Sequence, residues 1–138
     1  MKSYLVIANP LSGRGGGRRR AETLRTHLSD GGRVEVVETT HRGHATELAA
    51  SRADQVDRII AVGGDGTLNE VLCGLMSTGR EADDLPELGF LPSGTANVAV
   101  RVFRLGSDPA EVSQRLGDAE APPVDVGMVE YDGRERVF

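Results

Sequence analysis

The stretch AVGGDGTLNEV, residues 61–71, joins a buried strand to an amphipathic helix, and the organisation of the chain follows from it. The run RIIAV just before the glycines, 58–62, is short and consists mainly of apolar, β-branched residues, which is typical of a buried strand. Thr67 followed by Glu70 fits a capping box, so the spacing predicts a helix that begins near Thr67. Apolar residues then recur at the spacing of one helical face: Leu68, Val71, Leu72, Leu75 and Met76.

The glycine turn places Asp65 beside bare main chain at the start of a helix. Glycine lets a ligand approach the main chain, and the free N–H groups of a helix N-terminus suit phosphate. Because a carboxylate repels phosphate directly, Asp65 indicates a divalent cation between the two, as with magnesium on a nucleotide. The alternative is a tight strand-to-helix turn in which Asp65 serves only as a local cap.

Composition and charge exclude several classes of protein. The 138 residues suffice for one domain with a hydrophobic core, and no stretch has the length of a transmembrane helix. A single cysteine, Cys73, excludes an internal disulfide, and we expect a cytoplasmic protein. The net charge of −5 argues against nucleic-acid binding, although residues 1–33 carry seven Lys/Arg against two acidic residues. This basic start could attract a phosphate-bearing ligand or an anionic membrane, or Arg18, Arg19 and Arg20 could form a solvated helix face.

Strand-like and helix-like segments alternate along the chain, which predicts an α/β fold with a mainly parallel sheet. Further strands are predicted at 3–8, 33–40 and 87–91, a loop at 9–17, and a helix whose inward face is Ala21, Leu24 and Leu28. Short polar loops end these strands, namely NPLSG, TT, GGDGT and PSGT in chain order. Ligands bind beyond the carboxyl ends of parallel strands, so we expect the four loops to form one site.

The segment 122–138 departs from this alternation. It opens with a proline pair, and the turn Asp132-Gly133 between apolar residues predicts a β-hairpin over 124–138. We therefore expect an α/β domain over 1–121 and, over 122–138, the beginning of a second, β-rich domain of a longer protein. Unpaired strand edges in this hairpin favour a homodimer.

Several familiar site patterns are missing from the sequence. The glycine loops lack the GK[ST] of a Walker motif and the third glycine of the dinucleotide fingerprint. His41 and His44 have no second ligand pair, so a loop-and-cap role is favoured over a metal site. No Ser/His/Asp triad can be assigned, and Ser93 lacks the nucleophile-elbow pattern. Asn97 either faces the ligand loops or caps its predicted helix.

Taken together, the loop motifs resemble the diacylglycerol kinase catalytic domain family, which includes bacterial lipid kinases and sphingosine and ceramide kinases. The matching motifs, in the family's order, are NPLSG (9–13), TTHRGHA (39–45), GGDGTLNEV (63–71), LPSGTANVAVR (91–101) and VDVGMV (124–129). NAD kinases carry a similar glycine turn, so the resemblance rests on all the motifs rather than on that one. It implies a Rossmann-like three-layer sandwich with a mainly parallel sheet, ending in the start of a second, β-rich domain.

The resemblance also implies an ATP-dependent lipid kinase that transfers the γ-phosphoryl group of ATP to a lipid hydroxyl. The lipid lies at a membrane surface, so a protein without a transmembrane segment would act peripherally. Mg²⁺ would accompany ATP, and Asp65 would act on the magnesium-bound phosphates. Carried over residue by residue, the ATP contacts are Asn9, Pro10, Leu11, Ser12, Gly13, Thr40, Gly63, Gly64, Asp65, Gly66, Thr67, Leu68, Asn69 and Thr95.

Two features depart from the family's pattern. Val98 stands where many members have an aspartate after the asparagine of the fourth-strand loop. The family's general base, an aspartate or glutamate, belongs to the second domain, so we expect residues 1–138 alone to have little or no kinase activity. The alternatives are a NAD-kinase-like enzyme, which NPLSG and LPSGTAN disfavour, and a non-catalytic nucleotide-sensing module.

Overall fold

The computed structural model of the chain describes residues 1–94, 96–104, 106–118 and 121–138 and alternates strands with helices. None of the helices in these ranges is long and apolar enough to cross a membrane. A short 3₁₀ turn lies at Ala82–Asp84. The other elements are β1 (Lys2–Ala8), α1 (Ser12–Leu28), β2 (Gly32–Glu38), α2 (His44–Arg52), β3 (Arg58–Gly63), α3 (Asp65–Ser77), β4 (Glu87–Pro92), α4 (Val98–Phe103), α5 (Pro109–Asp118), β5 (Met128–Tyr131) and β6 (Arg134–Val137).

A four-stranded parallel sheet in the order β2-β1-β3-β4 forms the centre of the molecule. Val6 of β1 lies opposite Val36 of β2 on one side and Ile60 of β3 on the other. The strand β3 is buried along its whole length. Its residues 59–62 form a continuous apolar run rather than an alternating one, which is expected of a strand that helices cover on both faces.

Helices cover both faces of the sheet and make it a three-layer α/β sandwich. Successive side chains of a strand point to opposite faces, so β1 contributes to two cores. On one face Val6 clusters with Leu24 of α1 and Val112 of α5. On the other face Leu5 clusters with Val71 of α3, beside residues of α2. The fold class implied by the resemblance is confirmed.

The helix after the glycine turn begins two residues earlier than the sequence predicts. Its N-cap is Gly64, which is extended (φ −91°, ψ −173°), so α3 starts directly at Asp65. The capping-box prediction is wrong, because the Glu70 carboxylate accepts a hydrogen bond from the Gly43 N–H at 3.0 Å instead of capping α3. A tertiary contact has therefore replaced the local one.

The glycine-rich segment after β1 is not the continuous loop that its composition predicts. Helical hydrogen bonding begins at Ser12, and a left-handed kink then interrupts it at Gly13, Arg14 and Gly15, where φ is 57°, 58° and 85°. Regular helix follows the kink. Glycine adopts this conformation without the steric cost that a Cβ imposes, which accounts for the two glycines on either side of Arg14.

The predicted hairpin near the end of the chain is confirmed, with strands shorter than 124–138. Asp132 and Gly133 both have positive φ, 49° and 70°, as a two-residue hairpin turn of the favoured twist requires. The hairpin contacts α3, where the Asn69 side-chain amide donates a hydrogen bond to the Val137 carbonyl at 2.9 Å. The division of the chain into domains at 121/122 stays a prediction.

Candidate functional site

A cleft of about 620 Å³ lies at the carboxyl ends of the parallel strands. The strands β1 and β3 are neighbours, but the chain leaves β1 for α1 on one face of the sheet and β3 for α3 on the other. The two connections therefore separate and leave a crevice between them, where ligands bind in open α/β sheets. Its lining residues are Asn9, Leu11, Ser12, Gly13, Arg14, Thr39, Thr40, His41, Arg42, Gly64, Gly66, Thr67, Glu70 and Gly94.

Most of the residues that the family resemblance marks as ATP contacts lie in this cleft wall. They are Asn9, Leu11, Ser12, Gly13, Thr40, Gly64, Gly66 and Thr67. Pro10, Gly63, Asp65, Leu68 and Asn69 are not in the wall; Leu68, for example, packs against the core beneath α3. Thr95 lies outside the described residues.

The cleft wall also contains six residues that are not among the expected ATP contacts: Arg14, Thr39, His41, Arg42, Glu70 and Gly94. All six directly adjoin or lie within the quoted loop motifs, so position in a motif was the available signal. Glu70 was interpreted as half of a capping box, and for that reason it was not expected in the cleft wall.

Backbone hydrogen bonds hold two of the loops against the end of β3. The Asn9 N–H, after β1, donates to the Val62 carbonyl at 2.9 Å. The N–H groups of Ser93 and Gly94, after β4, both donate to the Gly63 carbonyl, at 2.8 and 3.2 Å. The last carbonyls of β3 thus fix both neighbouring loops at the edge of the cleft.

Glycines allow these loops to approach each other closely. A Cβ on Gly94 would lie 2.5 Å from the Gly64 Cα, and a Cβ on Gly63 would lie 2.4 Å from the Thr67 hydroxyl oxygen. The first turn of α3 therefore stands against main chain, with Gly66 and Thr67 in the cleft wall. The first N–H groups of a helix have no intrahelical acceptor and carry partial positive charge, so this end of α3 suits an anion.

Asp65 connects the glycine turn to α4. Its two carboxylate oxygens accept hydrogen bonds from the N–H groups of Val98 at 2.8 Å and Ala99 at 3.0 Å. Asn97 is the N-cap residue of α4 with φ 49°, and its side-chain amide donates to the Gly94 carbonyl at 2.9 Å. Asp65 thus caps another helix rather than its own, and Asn97 holds the loop that carries Gly94.

The charged side chains in the cleft wall favour an anionic ligand. Arg14 and Arg42 line the cleft. Among the described residues of the wall, Glu70 is the only carboxylate, and it is occupied by the Gly43 N–H. Low-dielectric walls of one charge sign raise the local concentration of oppositely charged ligands.

His41 and His44 contact each other at the start of α2. The rings of His41 and His44 stack with centroids 4.7 Å apart and an interplanar angle of 14°. The Thr40 N–H donates to His44 Nδ1 at 3.0 Å, which fixes the chain after β2. Within the described ranges, no three His, Cys, Asp or Glu side chains come together as a metal site.

An ion pair anchors the end of β2 to α1 beside the cleft. The Arg18 guanidinium contacts both carboxylate oxygens of Glu38, at 2.5 and 2.7 Å. Hydrogen bonding and charge from Arg18 hold the pKa of Glu38 below its usual range. Arg20 donates to the Ser107 carbonyl, so two of the three consecutive arginines are engaged within the chain.

Comparisons with known proteins agree with this architecture. The model of the diacylglycerol kinase catalytic domain matches residues 3–129. The chain is 36% identical over 132 residues to the diacylglycerol kinase of Bacillus subtilis (strain 168), covering 94% of this chain and 42% of that protein. It is 36% identical over 133 residues to sphingoid long-chain bases kinase 1 of Arabidopsis thaliana, covering 92% of this chain and 17% of that protein.

A similar structure has also been solved. The crystal structure of a diacylglycerol kinase from Bacillus anthracis str. Sterne superposes with a TM-score of 0.78 at 28% identity, covering 97% of this chain and 44% of that chain. The present chain therefore spans less than half the length of these relatives.

Proposed function

The chain belongs to the diacylglycerol kinase catalytic domain family, and on that premise we propose that its cleft binds ATP. In the whole protein, the γ-phosphoryl group of this ATP would pass to a lipid hydroxyl. The relatives named as diacylglycerol and sphingoid base kinases support a lipid as the acceptor class.

The observation that carries the proposal is the composition of the cleft wall. The wall combines glycine main chain, the N-terminal turn of α3 at Gly66 and Thr67, and two arginines. A phosphate chain is the ligand that suits bare N–H groups, a helix N-terminus and guanidinium groups together. Phosphoryl transfer needs mostly positioning and charge neutralisation from a protein, and these residues supply both.

Magnesium fits this site as a companion of the nucleotide. Mg²⁺ keeps several water ligands and is usually held by one or two carboxylates together with substrate phosphates, so a site without a protein cage suits it. Each carboxylate oxygen of Asp65 accepts one main-chain hydrogen bond and keeps a second lone pair. We propose that Asp65 holds a water of the magnesium-bound phosphates while it caps α4.

We further propose that the group that activates the lipid hydroxyl lies outside residues 1–138. The only carboxylate among the described wall residues, Glu70, is engaged with the Gly43 N–H. We therefore expect the 138-residue chain to show little phosphoryl transfer. Robust phosphorylation of diacylglycerol or a sphingoid base in vesicles by this chain would contradict that part of the proposal.

Two further proposals concern the surroundings of the whole protein. Because its acceptor is a lipid, we propose that the protein meets the membrane surface peripherally. The outer edges of the β5–β6 hairpin are free of strand partners among the described residues, and we propose homodimer formation through such an edge.

Calorimetric titration of the 138-residue chain with ATP tests the nucleotide site. Arg42→Ala should weaken ATP binding by about 3- to 10-fold, since it removes a partly screened charge–phosphate interaction. Arg33→Ala is the matched control, because Arg33 is exposed at the opposite end of the sheet, at the start of β2. Equal effects of the two variants would place the ATP elsewhere, and competition by NAD would indicate a NAD-kinase-like enzyme instead.

Two substitutions of Asp65 separate its proposed roles. Asp65→Asn keeps one of the two acceptor oxygens for α4 but removes the charge, so ATP binding should lose its magnesium dependence while the chain stays folded. Asp65→Ala removes the charge and both acceptor oxygens, and should also speed amide exchange at Val98 and Ala99. Unchanged magnesium dependence in Asp65→Asn would leave Asp65 with the capping role alone.

A further inference from the structure

The loop after β4 contacts the loop after β1 across the end of β3, although β1 and β4 are not neighbours in the sheet. The contact is made by two hydroxyl groups, since Ser12 Oγ and Ser93 Oγ lie 2.5 Å apart. Ser12 Oγ also lies 2.9 Å from the Asn9 carbonyl oxygen. Three groups from two distant loops therefore form one short hydrogen-bonded chain.

The direction of this chain follows from the number of protons. A carbonyl oxygen can only accept, and a serine hydroxyl has a single proton to donate. Ser12 therefore donates to the Asn9 carbonyl, and the Ser93 hydroxyl donates to Ser12. The reverse arrangement would leave two acceptor oxygens facing each other at 2.9 Å without a proton between them.

We propose that Ser93 is a positioning residue for the phosphate-binding wall, acting through Ser12 on the turn Asn9–Gly13. This proposal rests on the proposed ATP site. Asn9, Ser12 and Gly13 line the cleft, whereas Ser93 stands behind them, only 8% exposed. Ligand binding can thus depend on Ser93 without direct contact between the ligand and this residue.

The main chain of Ser93 is well placed for this task. Its N–H is fixed by the Gly63 carbonyl at 2.8 Å. Its carbonyl oxygen packs against Gly13 so closely that a Cβ there would lie 2.2 Å from it. The serine therefore presents its hydroxyl from a fixed main chain, and its hydrogen bond holds the turn in place before the ligand arrives. Such preorganisation lowers the cost of binding.

The experiment compares Ser93→Ala with Ser113→Ala in magnesium-containing titrations with ATP, tripolyphosphate and adenosine. Ser113 is a matched control, because it is also 8% exposed and its hydroxyl makes one local hydrogen bond, to the Ala110 carbonyl of α5. Losing one neutral hydrogen bond should raise the dissociation constants of Ser93→Ala for ATP and tripolyphosphate by about 3- to 10-fold. Adenosine affinity should not change, and Ser113→Ala should bind all three ligands like the wild type.

The double variant tests whether Ser93 acts through Ser12. In a Ser12→Ala background, Ser93→Ala should weaken ATP and tripolyphosphate binding no further, because the acceptor of its hydrogen bond is gone. Additive losses would overturn the relay, as would a loss of adenosine affinity equal to that of tripolyphosphate. Thermal unfolding of each variant checks that the chain is folded at the titration temperature.

The outcomes separate this proposal from the one on which it rests. Wild-type chain that binds ATP, together with Ser93→Ala that binds it equally well, overturns the positioning role and leaves the nucleotide site intact. Wild-type chain that is folded but binds neither ATP nor tripolyphosphate overturns the nucleotide site, and the positioning role with it.

Discussion

Replacing Gly13 by alanine should destabilise the chain far more than the same replacement at Gly15. Both glycines lie in the left-handed kink after β1, with φ of 57° and 85°. They differ in their surroundings. A Cβ on Gly13 would lie 2.2 Å from the Ser93 carbonyl oxygen, whereas a Cβ on Gly15 would meet nothing within 4 Å. The pair therefore separates the cost of backbone conformation from the cost of a steric clash.

The expected magnitudes follow from these two differences. Alanine in the left-handed region costs about 1–2 kcal/mol, offset by about 0.4–1 kcal/mol because alanine restricts the unfolded chain. Gly15→Ala should therefore lower the free energy of unfolding by about 0–1.5 kcal/mol. At Gly13 the clash adds the roughly 1–3 kcal/mol typical of overpacking, for a total of about 1–4.5 kcal/mol. Ser93 cannot easily yield, since its N–H is fixed to Gly63.

Urea unfolding of the two variants and the wild type measures these differences directly. In thermal unfolding, each kcal/mol should lower Tm by about 3–4 °C for a chain of this length. ATP titration adds a second measurement, because only the Gly13 variant should displace the cleft wall and weaken nucleotide binding. Equal destabilisation by the two substitutions would refute the reasoning, since it would mean that the contact between Gly13 and Ser93 is not formed.

Two further predictions concern the sheet. Leu24→Ala should lower the free energy of unfolding, measured in urea, by about 2–5 kcal/mol, because Leu24 is fully buried between α1 and the sheet. The control Leu11→Ala, at a side chain 83% exposed, should change the free energy of unfolding by less than about 0.5 kcal/mol. Equal losses of stability in the two variants would contradict the core assignment. The Asp57 carboxylate accepts hydrogen bonds from the N–H and the hydroxyl of Ser3, and these hold the pKa of Asp57 below its usual range. The carboxylate therefore stabilises the fold above that range, and this stabilisation is lost as pH falls through the lowered pKa. Asp57→Asn should therefore lose at most about 1 kcal/mol at pH 7, because the carboxylate is exposed, and the difference from wild type should shrink below about pH 4; a difference that stays constant down to pH 2 would contradict this assignment.

Local sequence patterns predicted the elements of this fold well, for a physical reason. The run RIIAV and the spacing of Ala21, Leu24 and Leu28 reflect burial by neighbouring layers, and burial leaves a period in the sequence. The Asp132-Gly133 turn is equally local, because its positive φ values depend on those two residues. The start of α3 was misplaced because Glu70, which could have capped it, contacts Gly43 in α2's N-terminal turn instead.

The candidate site was predictable as a set of loops but not as a set of contacts. Because the strands are parallel, every loop that follows a strand lies at the same edge of the sheet, so NPLSG, GGDGT and PSGT were expected together. Which side chains face the cleft could not be inferred in this way. Asn69 belongs to the central motif, yet its amide contacts Val137 of the hairpin rather than the cleft.

The sequence by itself determined the α/β class, the parallel sheet, the hairpin and the loops that carry the site, since each is written in residues close together along the chain. Only the tertiary structure decided that Asp65 caps α4, 33 residues away, and that Ser12 meets Ser93, 81 residues away. Such contacts depend on the strand order β2-β1-β3-β4, which brings the ends of β1 and β4 to either side of β3. No local periodicity specifies that order, because it is set by how the buried faces of all the elements pack at once.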